Sequence, residues 1–122
     1  MRTTPEIAIL RDKLVLVAKS SHPSIAYSEV DDLVGLDVRY PKDRKSLGEL
    51  LSTIGNMEFR QQRPYLPVVV VRKDTKRPGV RFYKEVIRHY PNYEEYADDE
   101  KGIYRMVLAR VIEYWSESTL TS

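Results

Sequence analysis

The sequence predicts a single α+β domain, built mainly of helices with one β-hairpin inserted after the third. Two observations support this fold class. The chain has 122 residues with five Gly and seven Pro, which is the size of one ordinary domain. Apolar residues recur at helical spacing in separate segments, and one β-branched run followed by a turn interrupts them. We therefore treat residues 1–122 as one domain, with a core at 1–90 and a helical extension at 91–122.

The first helix is marked by its capping residues. Thr4 followed by Pro5 predicts its start, and a capping box of Thr3 and Glu6 is the alternative start. Its end is expected near Lys19. Its apolar positions share one face: Ile7, Leu10, Leu14, Val17 and Ala18.

Two more helices are predicted before the hairpin. Residues 25–27 are expected to be extended, and Ser28 with Asp31 caps a brief second helix that Gly35 ends. After a polar turn at 36–43, the third helix is capped by Asp43, or by Ser46 with Glu49, and ends near residue 60. Its inward positions again follow helical spacing: Leu47, Leu50, Leu51 and Ile54.

The predicted hairpin lies between the third and fourth helices. Residues 65–72 form a β-branched run typical of a buried strand, and 74–79 form the turn. Val80 and Phe82 alternate as a short return strand, and residues 83–90 then return to helical spacing. This order of elements is that of a winged helix-turn-helix, in which the third helix enters the DNA major groove and the hairpin, or wing, contacts the neighbouring backbone. The predicted fold is therefore a winged helix-turn-helix with additional C-terminal helices.

Short segments within residues 26–79 resemble motifs of one family. Tyr27–Val30 with Gly35 resemble a tyrosine-glycine-glutamate-isoleucine segment and its helix-ending glycine, and Lys45–Gly48 resemble an arginine-x-valine-glycine motif. Pro64 before an apolar strand resembles the start of a proline-cysteine-histidine-arginine-valine segment. These motifs are similar to those in the winged-helix DNA-binding domain of the alkylguanine alkyltransferases and alkyltransferase-like proteins. The resemblance implies DNA binding without alkyl transfer, because Tyr65–Pro67 replace the cysteine, histidine and arginine.

Charge is concentrated in the middle of the chain. Residues 37–88 carry thirteen Lys or Arg against six Asp or Glu, a net charge of +7 in a chain whose total is +2. A basic centre is typical of a face that binds a polyanion, although solubility alone also selects surface charge. On the third helix, Lys45, Ser52 and Asn56 are predicted to face outward, where Lys, Ser and Asn side chains suit base edges and phosphates.

The turn holds the densest basic cluster, and we predict that it contacts phosphates. Five cations and one carboxylate occupy residues 72–81. At a hairpin tip such cations can straddle phosphates, or they can simply prevent edge-to-edge aggregation. The predicted DNA-binding residues are Lys45, Ser52, Asn56, Arg72, Lys73, Lys76, Arg77 and Arg81.

Other clusters are interpreted as structural. The acidic residues at 94–100 favour helix capping over metal binding, and His22 and His89 lie on separate segments without a nucleophile signature. The tyrosines of the C-terminal third favour core packing or a protein interface over base stacking. We predict neither a cofactor nor a metal site, and no enzymatic activity.

The last helix carries an apolar arc that is wide for a single contact. A homodimer through Met106 and Trp115 would bury it, and packing across two layers of the same chain is the alternative. With no Cys and no apolar run of membrane-spanning length, the sequence predicts a soluble cytoplasmic protein. Its expected function is binding of double-stranded DNA; the alternative is a protein-interaction adaptor, for example one within a larger repair or defence assembly.

Overall fold

The structure, a computed structural model, describes residues 4–121 and the side chains of residues 4–116. In chain order its elements are α1 (Pro5–Lys19), β1 (Ile25–Ala26), α2 (Tyr27–Val30), α3 (Pro41–Arg60), β2 (Val70–Val71), α4 (Val80–His89) and α5 (Glu100–Thr121). Short 3-10 segments lie between them at Asp31–Val34, Leu66–Val69 and Pro91–Tyr96. The described chain is thus mainly helical, with one two-stranded sheet.

The winged helix-turn-helix prediction is wrong, because the wing does not form. β1 and β2 pair in parallel, with Ile25 beside Val70 and Ala26 beside Val71. The predicted return strand, residues 80–82, is instead the first turn of α4. Within residues 4–121 no strand runs back along β2 after the turn, so this is a helical domain with a minimal parallel sheet.

The burial pattern explains why a helix forms where a strand was predicted. Val80 is 64% exposed, whereas Phe82, Tyr83 and Val86 are buried. All three lie on one face of a helix, whereas in a strand Tyr83 would lie on the opposite face from Phe82 and Val86. The apparent alternation of Val80 and Phe82 was therefore the beginning of a helical period.

The predicted long strand at residues 65–72 is a fully buried segment of mostly 3-10 geometry. Only Val70 and Val71 enter the sheet, because their partner strand β1 has two residues before α2 begins at Tyr27. Leu66–Val69 are all buried, and helices α1, α3 and α5 pack around them. The apolar run thus predicted burial correctly but predicted the wrong backbone geometry.

The helix boundaries were predicted with mixed success. Thr4 caps α1 by accepting a hydrogen bond from the Ile7 N–H at 3.3 Å, and α1 ends at Lys19 as predicted; Thr3, the alternative cap, lies outside the described residues. The third helix ends at Arg60 as predicted, but it begins at Pro41, before both predicted caps. Proline is well suited to the first position of a helix, where no backbone N–H is needed.

The wide apolar arc of α5 is largely accommodated within the chain. One stripe, spaced by four, is buried in the core: Ile103, Val107, Val111 and Trp115. Met106 is half-buried against the same core. Trp115, predicted as a dimer contact, is 8% exposed and lies beneath the cationic groups of Arg11 and Lys19, at 5.6 and 6.0 Å from the ring centroid. Homodimerisation stays a prediction, but Trp115 is a core residue of the protomer.

Helices α3 and α4 pack side by side and run in the same direction. Gly48, about two turns into α3, lies against the side chain of Arg81 in the first turn of α4, and near the C-terminal ends of both helices Phe59 stacks on His89 with ring centroids 4.7 Å apart. Between these contacts, a Cβ on Gly55 would overlap the Tyr65 ring, so Gly at this position permits that ring to lie close against α3.

A buried carboxylate joins α1, α3 and the segment that follows. The side chain of Glu58 is fully buried, and its two oxygens accept hydrogen bonds from the Nε–H groups of Arg11 at 2.6 Å and Arg63 at 2.5 Å. Two guanidinium groups therefore compensate one carboxylate, which is the condition under which a charge can be buried without a large penalty.

We expect Glu58→Gln to reduce the free energy of unfolding by about 3 kcal/mol, because two guanidinium groups would lose their anionic partner in a largely buried site. Urea denaturation followed by circular dichroism measures the change. The control is Glu49→Gln on the exposed face of the same helix, which should stay within about 0.5 kcal/mol of the wild type. Equal, small effects of the two substitutions would contradict a structural role for the Glu58 pair network.

Candidate nucleic-acid interface

The predicted α3 residues do lie on one stripe of that helix. Lys45, Ser52 and Asn56 are separated by seven and four positions, so they occur almost directly above one another on the helix surface. Lys45 is exposed and the other two are half-exposed. Gly48 lies at the edge of this stripe, where the helix meets α4.

The first turns of α4 bring a second set of cations to the same face. The guanidinium of Arg81 reaches across α3 at Gly48, where a Cβ would lie only 3.3 Å from its Nη1. Arg81, Lys84 and Arg88 follow at spacings of three and four, and all three are exposed along α4. The α3 stripe and the α4 stripe therefore border one another, which the sequence alone did not show.

The basic turn at residues 72–79 keeps a defined shape without being a hairpin. The Arg72 N–H donates to the Arg77 carbonyl and the Lys76 N–H donates to the Arg72 carbonyl, both at 2.9 Å. The Gly79 N–H donates to the Tyr27 hydroxyl at 3.2 Å, which ties the turn to the start of α2. Lys73 and Lys76 are exposed on this turn, and Arg77 is half-buried.

The acidic side chains close to these cations are already paired. Asp74 accepts two hydrogen bonds from the guanidinium of Arg72, at 3.1 and 3.0 Å, and this pairing lowers the pKa of Asp74. Glu85 forms an ion pair with Arg88. Arg72 is thus compensated within the turn, whereas the sequence had predicted it as a free phosphate ligand. Among the described side chains, the other cations of the turn and α4 have no carboxylate within ion-pair distance: Lys73, Lys76, Arg77, Arg81 and Lys84.

A second feature, which the sequence analysis missed, is a cavity of about 650 Å³ at the C-terminal ends of α3 and α4. Its aromatic lining comes from four separate parts of the chain: Phe59, Tyr65, Tyr90, Tyr93 and Tyr114. Arg63, Arg110 and Glu113 are its charged lining residues. The density of tyrosines in the C-terminal third was the sequence signal, but their convergence depends on the packing of α5 against the 91–96 segment.

The environment of the cavity suppresses ionisation of two of its phenols. Burial is the main cause in both cases: it raises the pKa of Tyr90 to about 12 and raises that of Tyr65 further. The neutral Tyr90 hydroxyl donates a hydrogen bond to the Arg63 carbonyl at 2.9 Å. This bond fixes the chain reversal after α3 that forms one wall of the cavity.

His89 lies beside the cavity, stacked on Phe59, and its side chain is 9% exposed. Burial lowers the pKa of His89 below its ordinary value, the neighbouring Arg88 lowers it further, and Glu85 opposes them. The imidazole is therefore neutral at pH 7. His22, the other histidine, is exposed after α1.

The acidic segment acts in part as a helix cap, as the sequence indicated. The Asp99 carboxylate accepts a hydrogen bond from the Gly102 N–H at 2.9 Å, at the start of α5. In the described part of the chain, no three His, Asp or Glu side chains come together as a group that could hold a metal ion.

Comparison with known proteins gives no assignment. No family model, no curated protein and no solved structure shows a significant match to this chain. Among the residues that the structure describes, no helix combines the length and the apolar character needed to cross a membrane.

The lowered pKa of His89 predicts a pH dependence of stability. The unfolded chain binds a proton near pH 6.5, before the folded protein does, so stability is fully present above about pH 6.5 and falls as the pH decreases toward the folded pKa. We expect His89→Phe, which keeps the stacking on Phe59, to flatten this dependence in urea titrations at several pH values between about 5 and 7.5. His22→Gln should retain the wild-type dependence of the free energy of unfolding on pH. If His89→Phe also retains that dependence, then His89 is not its origin.

Proposed function

We propose that this protein binds double-stranded DNA through a basic face formed by the α3 stripe (Lys45, Ser52, Asn56), the α4 stripe (Arg81, Lys84, Arg88) and the turn at residues 72–79. The binding is non-enzymatic in this proposal: the side chains position and neutralise a phosphate backbone. The protein is expected to act without a cofactor. Dimerisation, if it occurs, would place two such faces on one assembly.

The observation that carries the proposal is the position of Arg81 across Gly48. This contact brings the cations of α4 beside the short polar side chains of α3, and the basic turn at residues 72–79 leads directly into α4. Arg and Lys contacts to phosphates supply most of the affinity for DNA, and polar side chains between them can reach base edges. The pairing of Asp74 and Glu85 with arginines reduces the repulsion that free carboxylates would exert on phosphates.

The absence of a wing changes how the face would contact a duplex. A compact turn anchored to Tyr27 cannot reach along the backbone as a hairpin would. Its exposed lysines, Lys73 and Lys76, would instead contact phosphates next to the groove faced by the α3 stripe. We expect sequence preference, if any, to depend on Asn56, since an Asn amide can bond adenine through two hydrogen bonds.

The salt dependence of binding tests this proposal directly. Converting Lys73 and Lys76 to Gln removes two charges without adding strain at Lys76, which already has a φ of 60°. If both lysines contact phosphates, the slope of log K against log salt for a random duplex should flatten by about 0.9 per residue, or about 1.8 in total. Fluorescence anisotropy over a range of salt concentrations measures the slope.

The matched control is the double variant Lys101→Gln, Arg105→Gln, which removes two exposed charges from α5. It should leave the slope close to the wild-type value, and both variants should melt normally because the residues are exposed. If the two double variants flatten the salt slope equally, DNA binds diffusely over the protein surface and the basic face is not a specific binding site. If the wild type shows no salt-dependent affinity for duplex DNA, the proposal is wrong and a protein-interaction adaptor becomes the better explanation.

A further inference from the structure

The cavity at the C-terminal ends of α3 and α4 has the lining of a ligand site rather than of a packing defect. Its volume, about 650 Å³, is within the usual range for small-molecule sites. Phe59 and Tyr114, which line it, are 38% and 36% exposed, so large aromatic surface remains accessible there. Exposed aromatic surface that is gathered in one concave site, rather than scattered singly, is typical of a binding site.

The aromatic rings form a rigid wall. Phe59 meets Tyr90 edge to face with centroids 5.3 Å apart, and Tyr90 meets Tyr93 in the same manner at 6.3 Å. Edge-to-face contacts hold each ring in place while leaving a face free for a planar ligand to stack on. The Tyr90 hydroxyl is already bonded to the Arg63 carbonyl, so this ring keeps its orientation.

The polar lining offers groups for both parts of a heteroaromatic ligand that carries an anion. Arg110 is the lining cation that can meet the anion, because Arg63 is paired with the buried Glu58, and Glu113 is the one lining carboxylate. The amides of Gln62 and Asn92 can each donate and accept hydrogen bonds, as the edge of a base requires.

Gln62, one of the two lining residues with an amide side chain, belongs to the C-terminal cap of α3. Its backbone has a φ of 58°, in the left-handed region that is common just after the end of a helix. The N–H groups of Gln62 and Arg63 donate to the carbonyls of Phe59 and Glu58 at 3.0 and 2.9 Å. The cap therefore fixes the position of Gln62 in the cavity lining.

We propose that this cavity binds a single nucleotide, with the base stacked on the Tyr93 side of the aromatic wall and the phosphate near Arg110. The nucleotide could be free or part of a single strand, since both present the same base and phosphate. Tyr93 is half-buried and Arg110 is exposed, so both are accessible to a ligand without rearrangement of the core. The proposal does not depend on duplex binding by the basic face.

Calorimetric titration with the four nucleoside 5′-monophosphates, the corresponding nucleosides and a mixed-sequence single-stranded oligonucleotide tests the site. Tyr93→Ala should weaken nucleotide binding about 10-fold or more through lost stacking. Arg110→Gln should weaken the binding of the monophosphates by about 10-fold and change the binding of the nucleosides by less than about 2-fold, because only the phosphate contact is removed. Exposed Arg110 is not needed for folding, so this variant remains informative if Tyr93→Ala unfolds.

The matched controls are Tyr96→Ala, from the same 91–96 segment, and Arg105→Gln, from α5; neither residue lines the cavity. Both should bind the monophosphates as the wild type does, as should the Lys73→Gln, Lys76→Gln double variant of the basic face. Tight binding of the oligonucleotide with weak binding of monophosphates, both sensitive to Tyr93, would identify a single strand as the source. Absence of binding by any of these probes up to about 10 mM, or equal losses in the control variants, would overturn the proposal.

Discussion

The arrangement of the whole molecule depends on the compensation of one buried carboxylate, that of Glu58. Two guanidinium groups must reach it, one from α1 and one from the segment after α3. Arg11 therefore fixes the rotation of α1 about its axis, and Arg63 requires the chain to reverse direction within a few residues of the end of α3. The left-handed conformation of Gln62 makes that reversal possible. The reversal then directs Tyr65 and the buried segment 66–71 into the space between the helices.

The parts of the fold that depend on local sequence were predictable. The cap at Thr4, the end of α3 at Arg60 and the apolar stripes of the helices follow from nearest-neighbour chemistry and a period of 3.6 residues. The wing was not predictable in this way. Whether residues 65–72 pair with a following strand or with an earlier one depends on β1, which is about forty residues away and supplies a parallel partner only two residues long. Four consecutive β-branched residues, Val68–Val71, predicted a strand, although burial was all that they determined.

The two candidate sites also differ in how far the local sequence predicts them. The basic turn is contiguous in sequence, so its cations at 73 and 76 could be identified from composition, although the pairing of Arg72 with Asp74 could not. The cavity brings together residues from four segments. In none of these segments does the local sequence indicate that a cavity forms there. The clustering of tyrosines in the C-terminal third predicted aromatic packing or an interface, but Arg110, the lining cation that suits an anionic ligand, lies outside any recognisable motif.

The shared direction of α3 and α4 has an electrostatic consequence. Each helix carries about half a unit of positive charge at its N-terminal end from aligned peptide dipoles, and parallel helices add these fields where antiparallel helices would cancel them. The first turn of α4 contains no acidic residue to offset this, and it contains Arg81. At the N-terminal end of α4, backbone and side chain therefore contribute potential of the same sign, at a cost in self-repulsion, whereas Asp43 in the first turn of α3 offsets the potential at the start of that helix. A bound anion would relieve that repulsion, so occupancy of the basic face and the stability of the two helices are thermodynamically linked.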